Sequence, residues 1–145
     1  MIEIRALEES DRPAWASLWK GYLDYYETGL LPEMYDIAFN RMLSGSEHEF
    51  HGLLALRAGE PVGLAHYLFH RHGWKVEPVV YLQDLYVSHA ARGTGAGRAL
   101  IEAVYKAADA AGCPSVYWLT QDFNKTARQL YDRIGTQTPF VKYAR

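Results

Sequence analysis

The alternation of apolar and polar residues in "IEIRAL" predicts a first strand at the start of the chain. Ser10 and Asp11 then offer an N-cap ahead of Pro13, a residue suited to a helix's first turn. Trp15, Leu18, Trp19, Tyr22 and Tyr26 recur at spacings of three and four, which is one face of a helix. "TGLLP" breaks that helix. "EMYDIAFNRML" predicts a second, with Met34, Ile37, Ala38, Arg41 and Met42 along one side, before "SGS" stops it. The period then shortens. "FHGLLALRAGEPVGLAHYLFHR" reads as a hairpin, two apolar runs around the turn-forming "AGEP", and "PVVYLQDLYV" as a further strand. A glycine-rich loop leads into a helix from about Gly95 to Ala111, with Leu100, Ile101, Val104, Tyr105 and Ala108 facing inward and Gly112 as its C-terminal cap. "SVYWLT" predicts a strand, "NKTARQLYDRIG" a helix begun by Asn124 and ended by Gly135, and "TPFVKYA" a last strand. The order β-α-α-β-β-β-α-β-α-β is that of an α/β fold with a mixed sheet.

Length and composition narrow the function classes. At 145 residues the chain is expected to form one domain, residues 1–145, with a core of its own. Charged residues make up 22% and the net charge is −2, so there is no electrostatic case for nucleic acid or an acidic membrane. No apolar run approaches the roughly 20 residues of a membrane span. The first residues carry acids where a signal peptide would be basic and then apolar. A cytoplasmic location is the default expectation. Cys113 is the only cysteine, which rules out an intrachain disulfide and a cysteine-rich metal site. It reads as a small packing residue; no triad arrangement pairs it for acyl transfer through the thiol. His66 and His70, spaced His-x-x-x-His on a strand, do not converge on a metal as they would on a helix, so no metal is expected.

The glycine loop is the strongest local signal. In "ARGTGAGRAL" there is no Lys-Ser or Lys-Thr after the glycines, which excludes a Walker A loop, and Arg98 stands where a dinucleotide fingerprint needs its third glycine. Backbone amides between Arg92 and Gly97, at a helix N-terminus, would still point donors and a positive dipole end at one spot. Arg92 and Arg98 add fixed charge. The loop therefore suits an anion, or is a flexible strand-to-helix turn.

Arg92-x-x-Gly95-x-Gly97 resembles the signature of the GNAT superfamily of acetyl-coenzyme A-dependent N-acetyltransferases, and the resemblance extends over most of the chain. "YLQDLYV" is similar to that family's fourth strand, and "N-x-x-A-x-x-LY-x-x-x-G" from Asn124 to Gly135 to its following helix. Within the superfamily the chain looks nearest to a subgroup with spermidine/spermine acetyltransferases and yeast enzymes linked to histones, polyamines and D-amino acids. The resemblance implies a mostly antiparallel central sheet flanked by helices, with the fourth and fifth strands splayed. It implies that Arg92, Gly93, Thr94, Gly95, Ala96, Gly97 and Arg98 hold the pyrophosphate of acetyl-CoA, that the backbone of Leu85, Tyr86 and Val87 takes pantetheine, and that Asn124 touches the cofactor. It makes Tyr131 the acid beside the sulfur, and it implies direct transfer to an amine in a ternary complex. Members often form dimers or larger assemblies, so a homo-oligomer is expected, with "TPFVKYAR" as the candidate interface.

The base is left open. A primary amine of pKa near 10 is only about one part in a thousand neutral at pH 7. Where the polyamine enzymes read Leu-Glu-Asp, this chain reads Leu82-Gln83-Asp84, and Gln83 is no base. Asp84 could substitute, although it alternates onto the face opposite Gln83 unless a bulge reorients it. His66 or His70 could serve instead, or water alone if the amine is weakly basic. For the acceptor, Trp19, Tyr22, Tyr25 and Tyr26, with Glu27 and Glu33 beyond, suggest an aromatic wall with acids, suited to a small cation. Tyr25, Tyr26, Gln83, Asp84 and Trp118 are its candidate contacts. The expected acceptor is a polyamine or amino-acid-like molecule. A protein lysine or N-terminal amine, or a non-catalytic acyl-CoA sensor, are the alternatives.

Overall fold

A computed structural model describes residues 1–145. Five strands form one sheet in the order β1 (Ile2–Ala6), β2 (His51–Arg57), β3 (Glu60–His70), β4 (Val79–Val87) and β5 (Val116–Tyr117). The first four pair antiparallel, and β5 joins β4 in parallel. Helices α1 (Arg12–Tyr25) and α2 (Pro32–Leu43) cover one face; α3 (Ala96–Ala110) covers the other, with α4 (Lys125–Ile134) beside it. No helix is long and apolar enough to cross a membrane.

Alternation along the strands feeds two cores. Ala55, Ala65, Val80 and Leu82 point at α3, where Leu100, Ile101, Val104 and Ala108 are fully enclosed, as the helical spacing predicts. Leu54, Leu56 and Leu64 point at α1, against Trp15, Leu18, Trp19 and Leu23. Trp15 is the centre of this second core: its ring lies 5.1 Å from Trp19 and 5.0 Å from Phe39. Truncating a ring this well buried costs roughly 3–5 kcal/mol in proteins. Cys113 is buried in the α3 core, in keeping with a packing role.

Three predicted features differ. The buried side of α2 is Phe39, flanked by Tyr35, Ala38, Met42 and Leu43, while Ile37 is exposed. The contact between Phe39 and Trp15 decides the rotation of that helix, which keeps Ala38 and Met42 of the expected stripe against the core and turns Ile37 and Arg41 out. The strand predicted over "SVYWLT" is reduced to Val116 and Tyr117, because the chain turns Trp118 into the packing of α3 and α4. The last predicted strand, "TPFVKYA", does not form, and Phe140, Val141 and Tyr143 are exposed. A strand needs a partner edge, and the two-residue β5 offers almost none.

Asp11 also departs from its expected role. It occupies the cap position of α1, yet its side chain accepts hydrogen bonds from the Glu8 amide at 2.7 Å and from both terminal nitrogens of Arg5, at 2.7 and 2.9 Å. These bonds, the Arg5 pair foremost, hold its carboxyl below the usual carboxylate range. A depressed folded pKa stabilises the fold above the unfolded value and is lost as pH falls through the folded one. Asp11→Asn is therefore expected to lower stability by about 1–2 kcal/mol at pH 7, the Arg5 side being partly solvated. Urea titrations should show the gap to the wild type closing well below pH 4.

Candidate active site

The parallel pairing of β4 and β5 stops at Tyr81 and Tyr117. From Leu82 onward β4 has no partner on that edge, and the two strands part. A cleft of about 470 Å³ opens there, bounded by Leu85, Tyr86 and Val87 of β4, the glycine loop, α4, and three tyrosines of α1 and its end, Tyr22, Tyr25 and Tyr26. That size is ordinary for a small-molecule site.

At one end the loop forms a cradle. Arg92, Gly93, Gly95, Ala96, Gly97 and Arg98 all line the cleft. Gly95 caps α3 in the left-handed conformation, φ 89°, which L side chains rarely adopt. A Cβ built at Gly93 or Gly95 meets no atom within 4 Å, so nothing inside the protein fills the space before these amides. Arg98 is tied to Glu102 at 2.6 Å, whereas Arg92 reaches only the Val87 carbonyl at 3.4 Å. Thr94 lies off the cleft wall; its hydroxyl donates to the Ala91 carbonyl and fastens the loop from within.

Helix α4 supplies the facing wall. Asn124, Thr126, Ala127, Leu130, Tyr131 and Arg133 border the cleft. Asn124 sits at the cap position without a side-chain capping bond; its amide instead donates to Thr120 Oγ1 at 3.4 Å. Capping therefore does not account for an asparagine here. Gly135 is extended, and a Cβ there would fall 2.9 Å from Trp118, so this glycine serves the close approach of the indole. Trp118 in turn meets Tyr131 edge-on at 5.5 Å and Tyr105 at 6.2 Å. It backs Tyr131 and does not border the cleft. Burial, then the neighbouring Tyr26 and Tyr25, pushes the Tyr131 phenol up to about 12.

The strand segment expected to face the acceptor, Leu82 to Asp84, carries a bulge. In the β3–β4 register His66 faces Asp84 and Tyr67 faces Leu82, which leaves Gln83 as the extra residue. The phase of β4 flips there. Val80 and Leu82 point to α3 before the bulge, Leu85 and Val87 after it, and Asp84 and Tyr86 turn to α1. Gln83 is exposed and Asp84 buried. Asp84 Oδ2 accepts from His66 Nδ1 at 2.8 Å and from Trp19 Nε1 at 3.3 Å. Trp15 Nε1 donates to His66 Nε2 at 2.9 Å. An indole can only donate, so Nε2 is unprotonated and Nδ1 carries the hydrogen given to Asp84. His66 thus has both nitrogens engaged inside the core and is not open to an acceptor as a base. His70 lies at the surface, bonded to Tyr117 at 2.8 Å. Glu27 and Glu33 do not reach the cleft. Tyr22, expected in the aromatic wall but not among the candidate contacts, does border the cleft, and burial followed by the charge of Asp84 raises its pKa far above the ordinary value. Its i+3 and i+4 spacing to Trp19 and Tyr26 showed it facing inward, but nothing in the sequence paired it with Asp84.

Residues 15–136 match the Acetyltransferase (GNAT) family. The chain belongs to that family. It is accordingly an N-acetyltransferase that uses acetyl-CoA. A GNAT relative from Saccharomyces cerevisiae, D-amino-acid N-acetyltransferase HPA3, is 42% identical over 99% of this chain and 90% of its own. The thialysine N-epsilon-acetyltransferase of Bos taurus is 37% identical over 54% of this chain and 49% of its own. Among solved structures, AAC(6')-Iy in complex with a CoA bisubstrate analog shares the GNAT fold, with a TM-score of 0.86 over 100% of this chain and 97% of that one, at 21% identity. The splay, the open amides at Gly93 and Gly95 and the unpaired edge of β4 fit a long ligand with an anion at one end and amides along its arm.

Proposed function

We propose that the protein acetylates the primary amine of a small, cationic, amino-acid-like acceptor, directly and within a ternary complex. One observation carries this reading: a single cleft joins an anion cradle to a tyrosine-lined end with a buried carboxylate, Asp84, behind it. Tyrosine faces attract an ammonium group, more strongly where water is excluded. The D-amino-acid and thialysine acetyltransferases among its relatives support an acceptor of that class.

Acetyl-CoA supplies an acetyl thioester, already activated for attack. The residues of this chain bind and orient it. Arg92 and the amides of Gly93 to Gly97 would hold the pyrophosphate. The free edge of β4 at Leu85 to Val87 would take amide hydrogen bonds from the arm, and Asn124, free of capping duty, would add a polar contact. Tyr131 would stand beside the sulfur. With a pKa near 12 it keeps its proton throughout the physiological range, so it acts as a hydrogen-bond donor toward charge developing there. Complete transfer of that proton to a thiolate of ordinary pKa would be uphill by about 5 kcal/mol.

Thiol release on mixing the protein with acetyl-CoA and a panel of amines tests the proposal. D- and L-amino acids, thialysine, polyamines and lysine peptides should be compared. Turnover greatest for an amino-acid-like amine is expected. Turnover confined to lysine peptides would point to a protein acceptor. Tight acetyl-CoA binding with no turnover would make the protein a sensor.

A further inference from the structure

Gln83 leaves the acceptor's proton without an evident destination, and the carboxylate that could take it does not itself border the cleft. We infer that Tyr22 is the relay: its phenol oxygen receives a proton from the bound ammonium while its own proton passes to Asp84. The inference rests on the proposed transfer to an amine and deepens it.

The geometry supports this from three sides. Tyr22 borders the cleft one turn beyond Trp19, which donates to Asp84, and its ring lies 6.4 Å from that of Tyr86, two residues along β4 from Asp84; no hydrogen bond joins Tyr22 and Asp84 in this conformation. Contacts of this kind are often long before substrate binds. Asp84 Oδ2 is saturated by His66 and Trp19, while Oδ1 accepts nothing within the protein and is not sealed from solvent. Oδ1 is therefore the free acceptor, and its direction is held by the Trp15–His66 pair behind it. Finally, Gly21 lets the Tyr86 hydroxyl approach α1 so closely that a Cβ there would fall 2.5 Å away, which fixes the helix turn bearing Tyr22 against β4.

The proton balance is simple. One ammonium N–H bond breaks, a new O–H bond forms on Tyr22, and the former phenol hydrogen moves to Asp84 Oδ1. The amine is left neutral with its lone pair free, Tyr22 is unchanged, and after product leaves the proton on Asp84 returns by the reverse relay through Tyr22 to solvent in the open cleft. The steps are concerted, since a phenol with a strongly raised pKa does not persist as phenolate. The groups facing Tyr22 are Asp84, Tyr81 and Tyr86 of β4 and Tyr26 beyond its own helix, with His66 behind Asp84. None is a fixed cation that would oppose an arriving ammonium. Trp15, Trp19 and His66 are positioning residues in this scheme.

The test compares two acceptors with the wild type and Tyr22→Phe. For an ordinary primary amine at pH 7, Tyr22→Phe should lower kcat/KM about a hundredfold, the scale of a lost proton-transfer group. For trifluoroethylamine, already neutral at pH 7, the loss should be under about threefold. The deficit with the ordinary amine should also shrink as pH rises toward 10. An equal loss with both amines, at all pH values, would reduce Tyr22 to packing and overturn the relay; so would no loss. A second readout is independent of turnover: nitrogen-15 spectra of labelled His66 should show Nδ1 protonated. The opposite tautomer would remove the donor that orients Asp84 and overturn the scheme. If the wild type turns over no amine at all, the proposed function falls and the relay with it.

Discussion

Tyr131→Phe is expected to lower turnover by about two orders of magnitude while leaving acetyl-CoA affinity within about threefold. The hydroxyl makes no hydrogen bond within the protein, although it lies in a half-buried wall of the cleft. An unengaged phenol in such a place is available to a ligand atom. Its proton is held firmly, since burial keeps the pKa near 12, so the hydroxyl offers a donor at any pH where the fold persists. A donor aimed at charge that appears only in the transition state contributes to rate and little to ground-state binding. The phenyl ring would keep the edge contact with Trp118, so the fold should be unaffected. Steady-state kinetics and calorimetric titration with acetyl-CoA separate the two effects. Unchanged turnover would remove Tyr131 from the chemistry; a parallel loss of affinity would make it a binding residue.

Gly95→Val is expected to weaken coenzyme A binding by roughly ten- to a hundredfold, with a loss of stability of only about 1–2 kcal/mol. Two separate properties of this position set those sizes. The backbone lies at φ 89°, where a side chain strains the chain and a β-branched one more so. Yet the Cβ would meet no protein atom within 4 Å, so the core does not feel the new side chain. The space it enters is the space before the loop amides. Calorimetry with coenzyme A, paired with urea titration, reads both quantities. Unaltered affinity would sink the assignment of this loop to the pyrophosphate. Gly97→Ala is the milder comparison, since its Cβ would make only ordinary contact with Leu130 at 3.5 Å.

How much of this was legible beforehand differs from element to element. Helix α3 is legible in its spacing: of Leu100, Ile101, Val104, Tyr105 and Ala108, four are fully enclosed and Tyr105 packs half-buried at the margin, and the glycines at both ends bound the helix. The inward face of helix α2 is legible only in part: Ala38 and Met42 of the expected stripe do pack on the α1 core, but the apolar residues nearly encircle the helix and only Trp15 distinguishes Phe39 from Ile37. The C-terminal segment has the alternation of a strand and lacks an edge to join. Periodicity reports which residues prefer burial; it does not report whether a partner surface exists. Among the candidate site residues, the loop and Tyr131 lie together on one cleft. Trp118 and Thr94 stand behind that wall and His66 inside the core.

The sequence by itself determined the family and the glycine loop, because both are written in local spacing: a helix start, a left-handed glycine and an arginine three residues before it are all set within a few residues. Tertiary structure alone decided which groups surround Asp84, the carboxylate of the proposed relay. Whether Asp84 faces the acceptor side depends on a single-residue bulge at Gln83, and a bulge follows from how β3 and β4 are held in register by the cores on either side. Which nitrogen of His66 carries hydrogen depends on Trp15, 51 positions away in the chain. Long-range packing sets both, and no short stretch of the chain encodes either.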